Sequence, residues 1–157
     1  MKVLFVCTGN SCRSPMAEYL FNHHARLRDL QGWTARSAGT AAERHFGLSS
    51  GARVALTEKG ILKIDHVPQL VTRDLMAWAD LVLVMAQAHR EVLADRFPEH
   101  QTKTHLFLDR AGLGARDVAD PIGGSDDQYR RTRDEIEAGI LAVLEKESHG
   151  KPEQARP

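Results

Sequence analysis

Cys7 and Arg13 bracket a five-residue stretch, Thr8-Gly9-Asn10-Ser11-Cys12, and Ser14-Pro15 follows at once. A cysteine is a nucleophile as its thiolate, and an arginine offers a planar fork of donors that fits two phosphate oxygens together. Val3-Leu4-Phe5-Val6 before them reads as a buried strand, and Ser14-Pro15 reads as a helix start with Ser14 as N-cap and Pro15 at the first helical position. A strand feeding a tight loop and then a helix N-terminus gathers unpaired backbone N–H groups around one point, with the positive end of the helix dipole behind them. That geometry binds an oxyanion through Thr8, Gly9, Asn10, Ser11, Cys12 and Arg13, and the same field favours a thiolate at Cys7. A thiolate at the floor of such a cradle is aimed at phosphorus. Singly, each residue has a plain structural reading, Cys7 as a small buried hydrophobe and Arg13 as a surface charge. Their combination at this spacing favours chemistry.

The elements that must position this loop follow in order. Met16, Ala17, Leu20 and Phe21 repeat at helical spacing, and Leu27 extends the stripe. His23 and His24 point about 100° apart on such a helix and so cannot share a metal; they read as partly exposed surface residues. Trp33 to Ala38 reads as a second strand ending at Gly39. Ala42 to Gly51 reads as a loop near the site, in which Phe46 or Leu48 either lines a pocket or anchors the loop. A helix is expected from Ala52 to Lys59, stopping at Gly60, and another from a Thr72 cap through Trp78. Leu81 to Met85 is apolar without alternation, as in a central parallel strand covered on both faces. Gln87 to Phe97 reads as a helix ended by Pro98, and Lys103 to Leu108 as a fourth strand. Alternating strands and helices predict an α/β doubly wound parallel sheet. Ser125-Asp126-Asp127-Gln128 forms a capping box for a last helix whose inward stripe is Tyr129, Ile136, Ile140, Val143 and Leu144. Asp126 and Asp127 then serve the helix dipole rather than a metal. Residues 1–147 read as a single domain, and residues 148–157, polar with two prolines, as a disordered tail.

Composition narrows the classes. The chain of 157 residues has 21 lysines and arginines against 21 aspartates and glutamates, so net charge gives no argument for nucleic acid or an acidic membrane as partner. No apolar run approaches the ~20 residues of a membrane span. Met1-Lys2 leads straight into strand residues and leaves no room for a signal peptide before the core. The only cysteines, Cys7 and Cys12, share one loop, which suits a reducing cytoplasmic setting. The eight histidines form no metal spacing, and no dinucleotide or Walker pattern occurs.

The stretch from Cys7 to Ser14 closely resembles the active-site loop of the low-molecular-weight protein tyrosine phosphatases. The resemblance runs on through Ser14-Pro15-Met16-Ala17-Glu18, Ser37-Ala38-Gly39-Thr40, Ala79-Asp80-Leu81-Val82-Leu83 and Asp120-Pro121, nearly the whole chain in the family's order. It implies a four-stranded sheet of order 2-1-3-4, with the loop at a topological switch point. It implies that Asp120 is the general acid, protonating the leaving atom and then activating water against a phosphocysteine; Pro121 restricts the backbone of Asp120. It implies that Asn10, Ser14, Ser37 and His66 form a hydrogen-bond network under the loop, where His66 would otherwise be an ordinary polar turn residue. Cys12 is implied to form a reversible disulfide with Cys7 under oxidation, with a packing role as the alternative. Arg13 and the backbone carry the electrostatics, so no metal or cofactor is required. The expected enzyme is a monomer acting on phosphorylated proteins.

A nucleophile at the bottom of a cradle favours long side chains, phosphotyrosine or phosphoarginine rather than phosphoserine. The tyrosine-specific members carry aromatic residues after Asp-Pro and a branched apolar residue at the loop position of Ser11. Ile122, Gly123 and Ser11 look more like the bacterial protein arginine phosphatase branch, which uses threonine where this chain has serine. The family reading is therefore phosphotyrosine hydrolysis, with phosphoarginine as the alternative. Arsenate reductases of the same fold need further cysteines than Cys7 and Cys12 to relay a disulfide. A non-catalytic oxyanion-binding module would have no use for Asp120.

Overall fold

Successive strand residues face opposite ways, so an unbroken apolar run must be covered on both sides. In the computed structural model, which describes residues 1–150, β1 (Lys2–Cys7) meets that requirement. Val3, Phe5 and Cys7 enter one buried cluster, and Leu4 and Val6 enter another across the sheet. β2 (Thr34–Gly39) and β3 (Leu81–Val84) flank β1, and β4 (Thr104–Leu106) completes a parallel sheet of order β2-β1-β3-β4. On the face of Val3 and Phe5 lie α1 (Arg13–Leu27), α2 (Ser50–Thr57), the short α5 (Phe107–Arg110) and α6 (Asp126–His149). On the other face lie α3 (Arg73–Trp78) and α4 (Gln87–Arg96). The connection from β1 to β2 stays on the first face, and that from β3 to β4 uses the second. The C-terminal end of β1 therefore lies where the winding reverses, the place at which a doubly wound sheet leaves an open crevice.

Several expectations stand. Thr72 caps α3 by accepting the Leu75 N–H, Ser125 and Gln128 cap α6 reciprocally, and the five inward residues of α6 are buried. Others are corrected. Ser14 is not the N-cap of α1; the helix begins at Arg13, with Cys12 as a cap residue whose side chain makes no capping bond, because the Ser14 hydroxyl is used inside the loop. Leu27 is 69 % exposed, since α1 ends there, and Ala25 closes the buried stripe. The fourth strand stops at Leu106, and Phe107 turns into α5 to reach the core. Ala42 to Gly51 is not loop throughout: Arg44–Phe46 form a 3₁₀ turn, and α2 begins at Ser50 behind a Ser49 cap. His24 is partly exposed as expected, and its ring also pairs with Glu137 of α6 at 2.7 Å. α6 runs through His149, past the expected tail start at Ser148, because Ser148 and His149 bond back to carbonyls of the preceding turn. The remainder of that tail, 151–157, lies outside the described residues.

Gly139 sits inside α6 where an added Cβ would stand 2.5 Å from Cζ of Phe107. Phe107 is fully buried and edge-on to Phe5, with ring centroids 5.7 Å apart, so it has no room to yield. Helix propensity alone favours alanine over glycine by about 1 kcal/mol, whereas overpacking costs about 1–3 kcal/mol. Gly139→Ala should therefore lower the urea midpoint of unfolding. A raised midpoint would mean that α6 shifts freely against Phe107.

Candidate active site

The loop after β1 is held from three sides. Thr40 and Ala41, just past β2, donate their N–H groups to the carbonyls of Cys7 and Thr8, and Ser49 at the start of α2 donates to Ser11. Gly39 is required by close approach: a Cβ there would lie 2.3 Å from the Thr8 carbonyl oxygen. Asn10 adopts a φ of 54°, the left-handed conformation that asparagine tolerates better than most residues. Its backbone N–H points back at Cys7 Sγ, 3.3 Å away, which closes the curl over the sulfur.

The fully buried Asn10 side chain organises the floor beneath. Its Nδ2 donates to Ser14 Oγ and to Ser37 Oγ, both at 2.9 Å, and its Oδ1 accepts the Gln69 N–H at 3.0 Å. Ser37 in turn donates to Glu18 Oε2 at 2.5 Å. Burial pushes the Glu18 carboxyl up, with the Ser37 hydrogen bond and the Arg36 charge opposing it. Ser14 Oγ stands 2.9 Å from Cys7 Sγ and 3.4 Å from the Ala38 carbonyl. Because Ser14 already accepts from Asn10, its own proton has two destinations. Toward a thiol it points to Ala38 and accepts from sulfur; toward a thiolate it rotates to donate to sulfur. The hydroxyl thus serves either form of the sulfur without moving a heavy atom. His66 Nε2 donates to the Asn10 carbonyl at 2.7 Å, and burial lowers the affinity of its ring for a second proton, partly offset by that bond.

Arg13 is buried at the start of α1. Its Nη1 donates to the Val118 carbonyl at 3.0 Å, and Nη2 lies 3.5 Å from Asp120 Oδ2. Asp120 is half-exposed, and its other oxygen accepts the Ile122 N–H at 3.1 Å. The two ends of the predicted constellation, separated by over a hundred residues, therefore meet. They share a cavity of about 380 Å³ whose base includes Cys7, Thr8, Ser11 and Arg13. Glu43, Phe46, Asp120 and Ile122 line it nearer the solvent. Phe46 is on the cavity and 70 % exposed, whereas Leu48 packs on the core, which separates the two roles left open between them. Cys12 is a free thiol 3.2 Å from Ser49 Oγ and 3.4 Å from Tyr129 Oη.

Glu18, Gln69 and His89 also belong to the site and escape a reading of the sequence by motif. Glu18 lies one helical turn beyond Ser14, a spacing that places it beneath the same face. Gln69 and His89 carry no such signal, because each reaches the loop from a distant segment: Gln69 through Asn10 and Ser37, His89 through Thr8. Among the described residues, no group of three His, Cys, Asp or Glu side chains could hold a metal, and no helix is long and apolar enough to cross a membrane.

The model of the low molecular weight phosphotyrosine protein phosphatase family matches residues 2–151. The chain belongs to that family. It is a cysteine-dependent phosphatase of the low-molecular-weight type, with Cys7 and Arg13 in its N-terminal loop. Among its relatives, the protein-arginine-phosphatase of Bacillus subtilis is 42 % identical over 147 residues, covering 94 % of this chain and 96 % of that protein. The low molecular weight protein-tyrosine-phosphatase PtpB of Staphylococcus aureus is 32 % identical, covering 91 % and 96 %. A solved structure of the YwlE arginine phosphatase, a C7S mutant with a phosphorylated active-site serine, superposes with a TM-score of 0.90 at 37 % identity, covering 96 % of this chain and 98 % of that one.

His89 supplies a pH test of this architecture. Burial, and then the nearby Arg13 charge, lower its pKa to about 4, against the opposing pull of Asp117 and Asp120. A folded-state value below the unfolded ~6.5 means that the unfolded chain binds the extra proton first. The contribution is full above pH 6.5 and is lost as pH falls toward 4. Stability should decline from pH 7 to pH 5, with on the order of 1 kcal/mol due to this ring after allowance for screening. His89→Gln should make the decline shallower in urea titrations at the two pH values; an unchanged slope would mean that the ring is freely solvated.

Proposed function

We propose that this phosphatase acts on phosphorylated arginine side chains of proteins. The observation that carries this reading is the polar wall beside the nucleophile: Ser11 supplies a hydroxyl, and Glu43 and Asp120 supply carboxylates, on one cavity. A phosphorylated guanidinium brings several N–H donors into that space, and each needs an acceptor to avoid a cost of about 1–3 kcal/mol. The identity to proteins named arginine phosphatases supports the same reading. Phosphotyrosine is the second reading, favoured by exposed Phe46 and Ile122, which offer apolar contact to a phenyl ring, and by the likeness to PtpB.

The chemistry proceeds in two displacements. The Cys7 thiolate attacks phosphorus; the sulfur–phosphorus bond forms as the bond to the leaving nitrogen or oxygen breaks, and Asp120 delivers its proton to that atom. The backbone N–H groups of Thr8 to Arg13 and the Arg13 side chain hold the equatorial oxygens. Water then attacks phosphorus, its proton passes to the Asp120 carboxylate, and the sulfur leaves as a thiolate that receives the Ser14 hydroxyl proton in a hydrogen bond. Asn10, Ser37 and His66 keep the loop curled throughout. Peroxide oxidises the Cys7 thiolate to a sulfenic acid, the Cys12 thiol displaces its hydroxyl as water to form a disulfide, and an external thiol reduces that disulfide back to the two cysteines. The free thiols suit a reducing cytoplasm, and all these groups come from one chain, so a monomer suffices.

Cys7→Ser should abolish turnover yet retain vanadate binding, and residual activity within tenfold of wild type would exclude covalent catalysis by Cys7. Asp120→Ala should cost ~10²–10⁴ in turnover with poor leaving groups and far less with an acidic phenol. Equal losses on both would remove its role as acid. Substrate choice is tested separately at Ser11. Ser11→Ile should lower kcat/KM for phosphoarginine peptides by roughly tenfold to a hundredfold while sparing phosphotyrosine, at ~1.4 kcal/mol per tenfold. Wild-type preference for phosphotyrosine would establish the second reading, and equal losses on both would mean that Ser11 supports the loop without selecting the substrate.

A further inference from the structure

When a neutral histidine has one ring nitrogen bonded to a group that can only donate, the proton must sit on the other nitrogen. His89 is in that position. It is the third residue of α4, only 4 % exposed, and its Nδ1 accepts the N–H of Ala86 at 3.0 Å. A backbone N–H has no lone pair to offer, so Nδ1 carries none of the ring's hydrogen and Nε2 is protonated. Nε2 lies 2.8 Å from Thr8 Oγ1. The ring therefore donates to the hydroxyl, and the hydroxyl's own proton is turned away from His89.

Thr8 faces the cavity beside the nucleophile, with Arg13 and Asp120 on the same lining. Thr8 directly follows the nucleophile and is exposed on this lining, so it borders the space that a phosphorylated substrate enters. A phosphoryl oxygen is purely an acceptor, whereas a guanidinium is purely a donor. An oriented hydroxyl proton thus has one fitting partner in the substrate. The burial of the ring and the adjacent Arg13 charge keep His89 neutral at working pH, so Nδ1 remains free to accept the Ala86 N–H.

We propose that His89 is a positioning residue that fixes the Thr8 hydroxyl as a hydrogen-bond donor to the phosphoryl group of the substrate. This rests on the phosphatase reading of the cavity, and it holds for either phosphorylated side chain. Ala86 and His89 follow β3 directly, so the end of one strand orients a group on the loop that ends another.

The test uses the full chain, with an aryl phosphate as substrate and vanadate as a binding probe. Thr8→Val should lower kcat/KM by about tenfold to a hundredfold and weaken vanadate inhibition, as expected for loss of one hydrogen bond to a charged group, while Thr8→Ser stays near wild type. His89→Phe should give a comparable loss, and the double variant Thr8→Val/His89→Phe should be no worse than Thr8→Val alone. A purely structural histidine would give additive losses instead, and that result would overturn the proposal. Should His89→Phe fail to fold, ¹⁵N NMR of wild-type histidines decides the orientation: a proton on Nε2 of His89 supports it, and one on Nδ1 overturns it. Thr8→Val within twofold of Thr8→Ser also overturns it, whatever His89 does. A wild-type chain that neither turns over the ester nor binds vanadate would refute the phosphatase reading and the Thr8 role with it; wild-type turnover with a silent Thr8→Val refutes the present proposal alone.

Discussion

A loop curled tightly enough to aim its N–H groups at one anion cannot use those groups to hold itself together, so its shape must be imposed from beneath. Asn10 does this. It is fully buried and left-handed, with both Nδ2 hydrogens, its Oδ1, its N–H and its carbonyl each partnered. A buried polar network is stabilising and rigid only when every member is satisfied. Here the chain of bonds runs from Glu18 through Ser37 and Asn10 to Ser14 and ends on the sulfur of Cys7. The nucleophile's electrostatic surroundings are thus continuous with a carboxyl on the far side of the loop.

The same economy governs the proposed acid. Asp120 sits on an extended loop with no regular structure of its own, yet that loop is tied twice. Val118 donates its N–H to the Met85 carbonyl and accepts from Arg13, and Asp117 accepts the Gln87 N–H at the start of α4. Loops carry function best when a rigid element positions them. The residues just past β3 hold the acid loop by these bonds and the phosphate loop through His89, so the two halves of the site share one anchor. Because β1 and β3 are parallel neighbours in the sheet interior, their C-terminal ends lie side by side, and the anchor needs no long connection.

The cavity mouth, by contrast, is built from the parts of the site with least support. Glu43 precedes and Phe46 ends a short 3₁₀ segment, and Ile122 lies just past Asp120 on an exposed loop. These side chains set the chemistry of the cavity mouth without bearing on the network below. Substituting these residues therefore leaves the floor intact, since the cost of altering a solvent-facing wall is small beside that of altering a buried, fully bonded floor.

The sequence by itself determined the parallel sheet, the oxyanion cradle and the nucleophile, because these depend on local order: an apolar run without alternation, a cysteine at its end, an arginine at the start of a helix. It also indicated Asp120, Ser37 and His66, through likeness to a family rather than through any spacing of their own. Tertiary structure alone decided where the Ser14 hydroxyl is spent. Periodicity and capping preference predicted a helix cap, and the demand of a buried sulfur and a buried amide won instead. It likewise decided that Phe107 leaves the strand for the core, that Phe46 and not Leu48 meets the cavity, and that Gln69 and His89 enter the site. Those outcomes turn on contacts between residues dozens of positions apart, whose geometry is set only when both faces of the sheet are covered; hydrogen-bond partners of that kind leave no periodic trace in a chain.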